Sequence, residues 1–322
     1  MGAKNLILLF FMWKYRLNDK ILDIAIGKEL IVFGCENGWI HVFDRKSHLW
    51  NKKLTSTYYR GPFTDVNVLS VDTNDKLVTV GTDFADGKVY VFSNDGKKIW
   101  EKQFISILGC WERPEDVTKI KLGDEFFAVS SEFMNSYIHV YTYDFDIVFQ
   151  KEINGDVKAI EFSDFLVVGT DRRLYFIDYD GRIILSREIN VRDVKVLGDL
   201  ITITGDEKII GYKNGDWWEI KIRNPIISVS DYIVAASGNR IFFITPNGEI
   251  ISKFDVKDVI RCIYATKSNT YVGTESGLTV FSDFEISYEI RIGKILKIGE
   301  AGVLVVNGNT VEYYPFNSLK SK

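Results

Sequence analysis

Residues that commonly carry out chemistry are few in this sequence and lie far apart. The three cysteines, Cys35, Cys110 and Cys262, form no C-x-x-C pair, and their odd number disfavours a disulfide framework. A structural zinc site needs closely spaced ligand pairs, which these cysteines do not supply. We therefore interpret all three as isolated thiols.

The three histidines indicate structural roles. His41 and His139 occupy equivalent positions in two copies of the repeat described below, where two other copies have Tyr90 and Tyr175. That position accepts any ring with a polar tip, which is typical of packing rather than catalysis. His48 lies in a predicted hairpin turn without a cysteine or carboxylate pattern around it.

Motifs for metal, nucleotide or acyl chemistry are also missing. The run Asp178-Tyr-Asp180-Gly181 lacks the further oxygen ligands and the distal glutamate of a calcium loop, so we interpret it as a turn. The sequence contains no phosphate-binding glycine motif of the Walker or dinucleotide type and no G-x-S-x-G elbow. We predict that the protein is not an enzyme and has no cofactor or metal site.

Recognition is the chemistry that the remaining residues favour. Aromatic, methionine and arginine side chains concentrate in four long connections between predicted strands, residues 55–65, 82–87, 105–116 and 131–137. These residue types are enriched at the centres of protein interfaces. An alternative is that the side chains fold back and cover their own loops. The candidate partner-binding residues are Tyr58, Tyr59, Arg60, Phe63, Phe84, Trp111, Arg113, Phe133 and Met134.

Composition defines the elements that must position these loops. The 322 residues include 38 Ile and 29 Val against 9 Ala, a balance that favours strands over helices. A hydrophobic fraction of 46% with 26% charged residues can build a large core and excludes a disordered chain. The formal charge of −4 provides no overall attraction for nucleic acid, which we do not expect as a partner.

The N-terminal run Leu6–Trp13 (LILLFFMW) follows a lysine and has the apolar character of a signal peptide. It is about eight residues long, shorter than the roughly 20 residues of a membrane span. No small-x-small cleavage site follows it. We expect no transmembrane segment and a cytoplasmic location, with export as the alternative.

A short apolar strand that ends in glycine recurs along the whole chain at intervals of 33 to 49 residues. A second apolar strand with an aromatic residue follows each copy, and Asp-Gly or Asn-Gly turns of the kind found in hairpins come next in several copies. Four regularly spaced strands per copy predict a β-propeller blade. The marker residues are Gly34, Gly81, Ser130 in place of glycine, Gly169, Gly205, Gly238, Gly273 and Gly308.

The marker residues predict an all-β chain with eight four-stranded blades in a single domain over residues 1–322. The last copy, residues 295–316, has only three strands. The N-terminal segment 6–17 matches the missing outer strand, because Trp13-Lys-Tyr-Arg-Leu parallels Trp50-Asn-Lys-Lys-Leu. We predict that this segment completes the last blade, and that the closure removes exposed strand edges. A seven-bladed propeller is the alternative.

Copies such as GTDFADGKVYVFSNDGKKIWEKQF (81–104) and GTDRRLYFIDYDGRIILSREI (169–189) resemble blades of the quinoprotein-like (PQQ-like) and WD40-like propeller families. The resemblance covers essentially the whole chain and implies the fold. It implies little about function, because these propellers host unrelated activities. Quinoprotein dehydrogenases use adjacent cysteines, a calcium ion and a tryptophan beneath the quinone, and this sequence has neither the cysteine pair nor an identifiable ligand set.

We predict a non-catalytic scaffold that binds a protein partner through the elaborated loops of blades 1 to 3. One alternative is a small-ligand-binding protein or degenerate quinoprotein-type enzyme with its site in the central channel. A second is an envelope assembly factor similar to the outer-membrane propeller lipoproteins. That form would need export and a lipidated cysteine near the start, and no cysteine precedes Cys35.

Overall fold

The computed structural model describes residues 12–56 and 65–319. In these ranges the chain forms 34 β-strands and two single-turn 3-10 helices, Glu36–Gly38 and Phe316–Ser318. Thirty-two of the strands build eight four-stranded antiparallel sheets, which are the blades of a β-propeller, and the other two form a two-stranded sheet. The predicted all-β fold and the predicted blade number are confirmed.

The first four blades belong to one compact unit of the chain, Asp19–Val194. Each blade runs from an inner to an outer strand in chain order. Blade 1 contains β2 (Ile21–Ile26), β3 (Ile31–Cys35), β4 (Trp39–Phe43) and β5 (His48–Lys53). Blade 2 contains β6 (Val68–Thr73), β7 (Leu77–Thr82), β8 (Lys88–Ser93) and β9 (Lys98–Gln103). Blade 3 contains β12 (Asp116–Leu122), β13 (Phe126–Glu132), β14 (Ser136–Thr142) and β15 (Ile147–Ile153). Blade 4 contains β16 (Val157–Phe162), β17 (Leu166–Thr170), β18 (Arg173–Ile177) and β19 (Ile183–Glu188).

The described part of the second unit is residues 12–18 and 195–319, and the boundary falls inside the first strand of blade 5. Blade 5 contains β20 (Asp193–Leu197), β21 (Leu200–Thr204), β22 (Lys208–Lys213) and β23 (Asp216–Lys221). Blade 6 contains β24 (Ile226–Val229), β25 (Ile233–Ser237), β26 (Arg240–Ile244) and β27 (Ile250–Asp255). Blade 7 contains β28 (Ile260–Ala265), β29 (Asn269–Thr274), β30 (Leu278–Ser282) and β31 (Glu285–Ile290). Blade 8 contains β32 (Lys294–Gly299), β33 (Gly302–Asn307), β34 (Thr310–Pro315) and β1 (Trp13–Arg16). The single domain predicted over residues 1–322 stays a prediction.

The hydrophobic core lies between successive blades. Every residue of β3 is buried, whereas the outer strand β5 alternates between half-buried and exposed residues. Val32 and Val42 of blade 1 share one buried cluster with Val68 and Val80 of blade 2. A strand that is covered on both faces favours apolar residues along most of its length, and Leu, Val and Ile are frequent in second strands such as β17 and β21.

Four marker glycines lie inside second strands, where the next blade leaves no room for a side chain. An ideal Cβ on Gly81 would lie 2.5 Å from Val117 Cγ1 and 2.8 Å from the Val117 carbonyl oxygen. An ideal Cβ on Gly34 would lie 2.5 Å from Val68 Cγ1. Gly273 has the same relation to Ile295. An ideal Cβ on Gly169 would overlap Val191 Cγ1, in the connection that follows blade 4. These glycines therefore set how closely successive blades pack.

The other marker residues differ from this pattern. Ser130 occupies the predicted glycine position inside β13, where its Oγ lies 2.7 Å from Thr118 Oγ1. Gly205 follows β21, and Gly238 and Gly308 lie in turns after the second strand with φ of 60° and 62°. The marker glycines thus have two structural roles: some allow close packing of blades, and others adopt a left-handed backbone conformation.

An outer-strand tryptophan in each unit attaches its blade to a turn of the next blade. Trp50 Nε1 donates a hydrogen bond of 2.8 Å to the Asn94 carbonyl, and its ring lies against the turn at Gly96. Trp218 repeats the contact in the other unit, with a 2.9 Å bond to the Pro246 carbonyl. The Trp50 and Trp218 rings are therefore contacts between blades.

The N-terminal strand completes blade 8, as predicted. β1 pairs antiparallel with β34, and the Trp13 ring stacks on Tyr313 with centroids 5.4 Å apart. Lys14 Nζ lies 2.7 Å from Glu312 Oε1, and Leu17 is buried. Residues 6–11 of the predicted segment lie outside the described residues. In the described part of the chain, no helix has the length and apolarity to cross a membrane.

We expect Gly81→Ala to lower the free energy of unfolding by about 1–3 kcal/mol, because the added methyl group must displace Val117. The φ of Gly81 is not positive, so an alanine backbone fits there and the substitution adds no backbone strain. Denaturant titration measures the cost in the wild type and in a Val117→Ala background. The cost should fall without vanishing when Val117 is shortened, because the Val117 carbonyl oxygen stays 2.8 Å from the added Cβ. An equal cost in both backgrounds would contradict a clash with the Val117 side chain.

The contact between β1 and β34 should depend on pH through Glu312. Burial opposes ionisation of this carboxyl, but hydrogen bonds from Lys14, Tyr314 and Asn307 outweigh burial and hold its pKa below the usual value. A lowered pKa in the folded state stabilises the fold above the unfolded pKa of about 4.3, and the stabilisation disappears as pH falls through the folded pKa.

The expected result is that wild type exceeds Glu312→Gln in unfolding free energy most clearly above about pH 5, and that the difference shrinks toward about pH 3. Denaturant titrations across this range measure it. If the difference in unfolding free energy stays constant with pH, the ionised Glu312 carboxylate does not stabilise the contact between β1 and β34.

Candidate functional site

The four long connections leave their blades at the same edge. In an antiparallel four-stranded sheet, the connection between the second and third strands lies at the edge where the outer strand ends. Residues 82–87 and 131–137 include second-to-third connections, whereas 55–65 and 105–116 lead from an outer strand to the next blade. All four belong to the unit Asp19–Val194. We call this side of blades 1 to 3 the elaborated edge.

The third connection is a β-hairpin rather than the expected loop. β10 (Ile105–Leu108) pairs antiparallel with β11 (Trp111–Pro114), and Leu108 lies opposite Trp111. Gly109 has a φ of 61°, the left-handed conformation that a type II′ hairpin turn places at its first central position. We call residues 105–114 the edge hairpin.

The base of the edge hairpin is held by buried contacts. The Phe104 amide donates to the Gly87 carbonyl at 2.8 Å, and the Glu115 amide donates to the Phe104 carbonyl at 3.0 Å. Ser106 Oγ donates to Glu115 Oε1 at 2.7 Å. The Phe104 ring packs on His139 with centroids 4.5 Å apart. The hairpin is therefore fixed to blades 2 and 3.

The connection at 82–87 is also held by hydrogen bonds. The buried Asp83 carboxylate accepts from the Ala85 amide at 3.2 Å and from Asn67 Nδ2 at 2.8 Å. The Phe84 amide donates to Asp116 Oδ1 at 2.6 Å. Burial raises the pKa of Asp83 and of Asp116, and these donors act in the opposite direction. The result is a fixed loop that leaves the Phe84 side chain exposed.

Arg113 joins three of the connections. Its Cζ lies 4.5 Å from the centroid of the Phe133 ring and 5.3 Å from that of Phe84. Each contact is a cation–π interaction, worth about 0.5–1 kcal/mol at an exposed position. Three of the predicted binding residues are thus brought together from three separate connections. We call Arg113, Phe84 and Phe133 the arginine cluster.

Large apolar side chains beside the arginine cluster remain open to solvent. Trp111 is 75% exposed and Met134 is 70% exposed, so these two do not fold back over their own loops. Ile107 is 73% exposed, and Leu108 is also exposed. Sequence reasoning missed Ile107 and Leu108 because aliphatic residues are weak interface signals, although the alternation of ISIL and WERP about Gly109 could have indicated an exposed hairpin.

The remaining predicted residues, Tyr58, Tyr59, Arg60 and Phe63, lie outside the described residues. The residues that flank them are placed. Thr55 pairs with Asp65, and Ser56 Oγ donates a short hydrogen bond to the Ala85 carbonyl. The connection at 55–65 therefore begins next to the loop that carries Phe84.

The histidines and the acidic turn have structural surroundings. His139 Nε2 lies 2.8 Å from Ser131 Oγ, and burial lowers the His139 pKa to about 4. Burial, helped by His48, lowers the His41 pKa to about 4 as well. Asp178 Oδ1 accepts from two amides of its own turn, which confirms the interpretation of that motif as a turn. Both imidazoles are neutral at pH 7.

The cysteines divide into two kinds. Burial raises the pKa of Cys35 and of Cys262 to about 12, which keeps both thiols protonated. Cys110 is exposed at the tip of the edge hairpin. Among residues 12–56 and 65–319, no group of three or more His, Cys, Asp or Glu side chains could hold a metal ion.

Comparison with known proteins shows the fold and no family. No protein-family model matches the sequence, and no curated protein matches it either. The structure is similar to BamB from Moraxella catarrhalis, with a TM-score of 0.71 at 12% identity over 96% of this chain and 100% of that one. It is similar to Sqt1 from Saccharomyces cerevisiae, with a TM-score of 0.71 at 11% identity over 94% of this chain and 97% of that one. The computationally designed Ika8 protein gives 0.70 at 14% identity over 93% of this chain and 97% of that one. What the chain shares with all three is the propeller fold.

Proposed function

We propose that the protein is a non-catalytic scaffold that binds a protein partner through the elaborated edge of blades 1 to 3. The observation that carries this proposal is the arginine cluster with exposed Trp111 and Met134 beside it. Arginine and tryptophan are the residue types most often found as interface hot spots. The cytoplasmic location expected from the sequence is part of the proposal.

The energetic argument concerns apolar surface on a fixed backbone. Burying apolar surface stabilises a complex by about 25 cal/mol per Å² removed from water. Much of that gain is usually offset when the contacting side chains and loops must be ordered. Here the hairpin base and the loop at 82–87 are already held by buried hydrogen bonds, and Arg113 is already stacked. Binding at this edge would therefore lose little conformational entropy.

The position of the surface fits this function as well. Connections that extend from a rigid scaffold are common binding sites, because they change without disturbing the core. In blades 1 to 3, close contacts between blades involve the second strands and the outer-strand Trp50, whereas Trp111 and Met134 of the connections stay exposed. The side chains of the elaborated edge are thus available for recognition.

The proposal predicts that Trp111→Ala combined with Arg113→Ala reduces recovery of a partner from native lysate at least about tenfold, the effect of losing a hot spot. The matched control is Ile184→Ala with Arg182→Ala in blade 4, since Ile184 is 54% exposed and Arg182 is also exposed. Affinity capture with quantitative mass spectrometry compares the two variants at equal folded concentration. Equal recovery with both variants would show that the elaborated edge is not the binding surface.

A further inference from the structure

The edge hairpin presents one strand whose outer edge is open. Bonded pairs alternate with non-bonded pairs along an antiparallel ladder. The bond from Glu115 to Phe104 fixes that alternation, so Ser106 pairs with Arg113 by hydrogen bonds. The N–H and C=O groups of Ile105 and Ile107 therefore point away from β11. Among residues 12–56 and 65–319, these backbone groups make no hydrogen bond on the side away from β11.

The opposite edge of the hairpin is less suited to pairing. Ile105 lies opposite Pro114, which has no N–H, and Ile107 lies opposite Glu112. Proline on an outer edge is a common way to prevent strand addition. β10 can therefore accept a further strand more readily than β11.

A groove of about 550 Å³ runs along this open edge. All four residues of β10 line the groove, and none of the four residues of β11 does. Blade 3 supplies the facing wall, which includes Met134, Tyr137, His139 and Gln150. The volume lies within the usual range for sites that enclose a ligand. A strand added to β10 would direct alternate side chains into this groove.

Lys102 is the exposed charged residue of the groove. Lys102 lines the groove and is exposed, and no ion pair with Lys102 occurs among the described residues. The other charged lining residue, Glu115, is buried and accepts a hydrogen bond from Ser106. An acidic side chain on the added strand would complement Lys102, whereas a basic one would be repelled.

We propose that an extended segment of the protein partner adds to β10 as a third strand. Its apolar side chains alternate into the groove, and an acidic side chain lies near Lys102. This inference rests on the proposed function and names the chemistry of its partner. Main-chain hydrogen bonds to Ile105 and Ile107 would give affinity, and the groove would give specificity.

The test begins with a phage-displayed library of random twelve-residue peptides selected on the full-length protein. Enriched peptides are then measured against Ile107→Pro and against the matched control Glu112→Pro. Both variants remove an outward N–H that makes no bond within the hairpin, but only Ile107→Pro alters the edge along the groove. We expect binding to weaken at least about tenfold for Ile107→Pro, because its partner carbonyl is left unpaired. Glu112→Pro should change it by no more than about twofold.

Charge and backbone protection provide independent readouts. Lys102→Glu should weaken binding of the acidic peptides by about fivefold. A peptide with lysine at the acidic position should bind the Lys102→Glu variant without that loss. Amide hydrogen exchange followed by NMR should show new protection at Ile105 and Ile107 when peptide binds, with the Glu112 amide unchanged. A ligand that merely fills the groove would not protect both amides.

Several outcomes would overturn strand addition. These are selection of no peptide, equal binding to Ile107→Pro and wild type, or the absence of acidic residues and alternation among the selected peptides. A concentration-dependent dimer that Ile107→Pro abolishes would identify a second copy of the chain as the occupant, which also overturns the inference. The capture experiment with Trp111 and Arg113 is separate, so the proposed function can hold when strand addition fails.

Discussion

The close approach of one blade to the next is the constraint on which the rest of the structure depends. At Gly34, Gly81 and Gly273 the second strand has no side chain at the point where Val68, Val117 or Ile295 of the next blade packs against it. A methyl carbon at these positions would lie 2.5 to 2.6 Å from that side chain, closer than non-bonded carbon atoms approach. Because protein interiors are densely packed, this contact fixes the spacing of successive blades. Trp50 and Trp218 of the outer strands also bind their blades to a turn of the next blade in the same unit.

This arrangement leaves the connections at one edge free to vary. The stability of blades 1 to 3 depends on buried strands and on contacts between blades, so a long insertion at the elaborated edge disturbs neither. The insertions are nevertheless ordered where the structure describes them. Phe104 and Glu115 fix the base of the edge hairpin, and Arg113 holds it against Phe84 and Phe133. A rigid scaffold thus presents a rigid surface, which favours specific binding.

Periodic features were predictable from the sequence because they repeat. Comparing one copy with the next identifies the marker glycines, the aromatic residue of the second apolar strand and the match between Trp13 and Trp50. Comparing the copies could not separate the two structural roles of the marker glycines. Gly238 and Gly308 are marker residues by spacing but lie in left-handed turns, and only backbone geometry distinguishes them from Gly81.

The candidate site was predictable in composition and not in geometry. Phe84, Arg113 and Phe133 were selected by residue type, but their stacking joins segments that are far apart in the chain, and no periodicity encodes it. The edge hairpin was taken for a loop because its two strands have no counterpart in the other copies. The repeat of four strands per copy predicted the fold, and the residue types of the long connections supplied the functional hypothesis.

The most direct test of the central claim is site-specific photo-cross-linking in cells. A photoreactive phenylalanine analogue replaces Trp111 in one protein and Ile184 of blade 4 in another, since both side chains are exposed and only the first lies on the elaborated edge. We expect a discrete cross-linked partner from position 111 and none from position 184. Cross-links from position 184 alone, or equal cross-links from both positions, would contradict a binding surface on the elaborated edge.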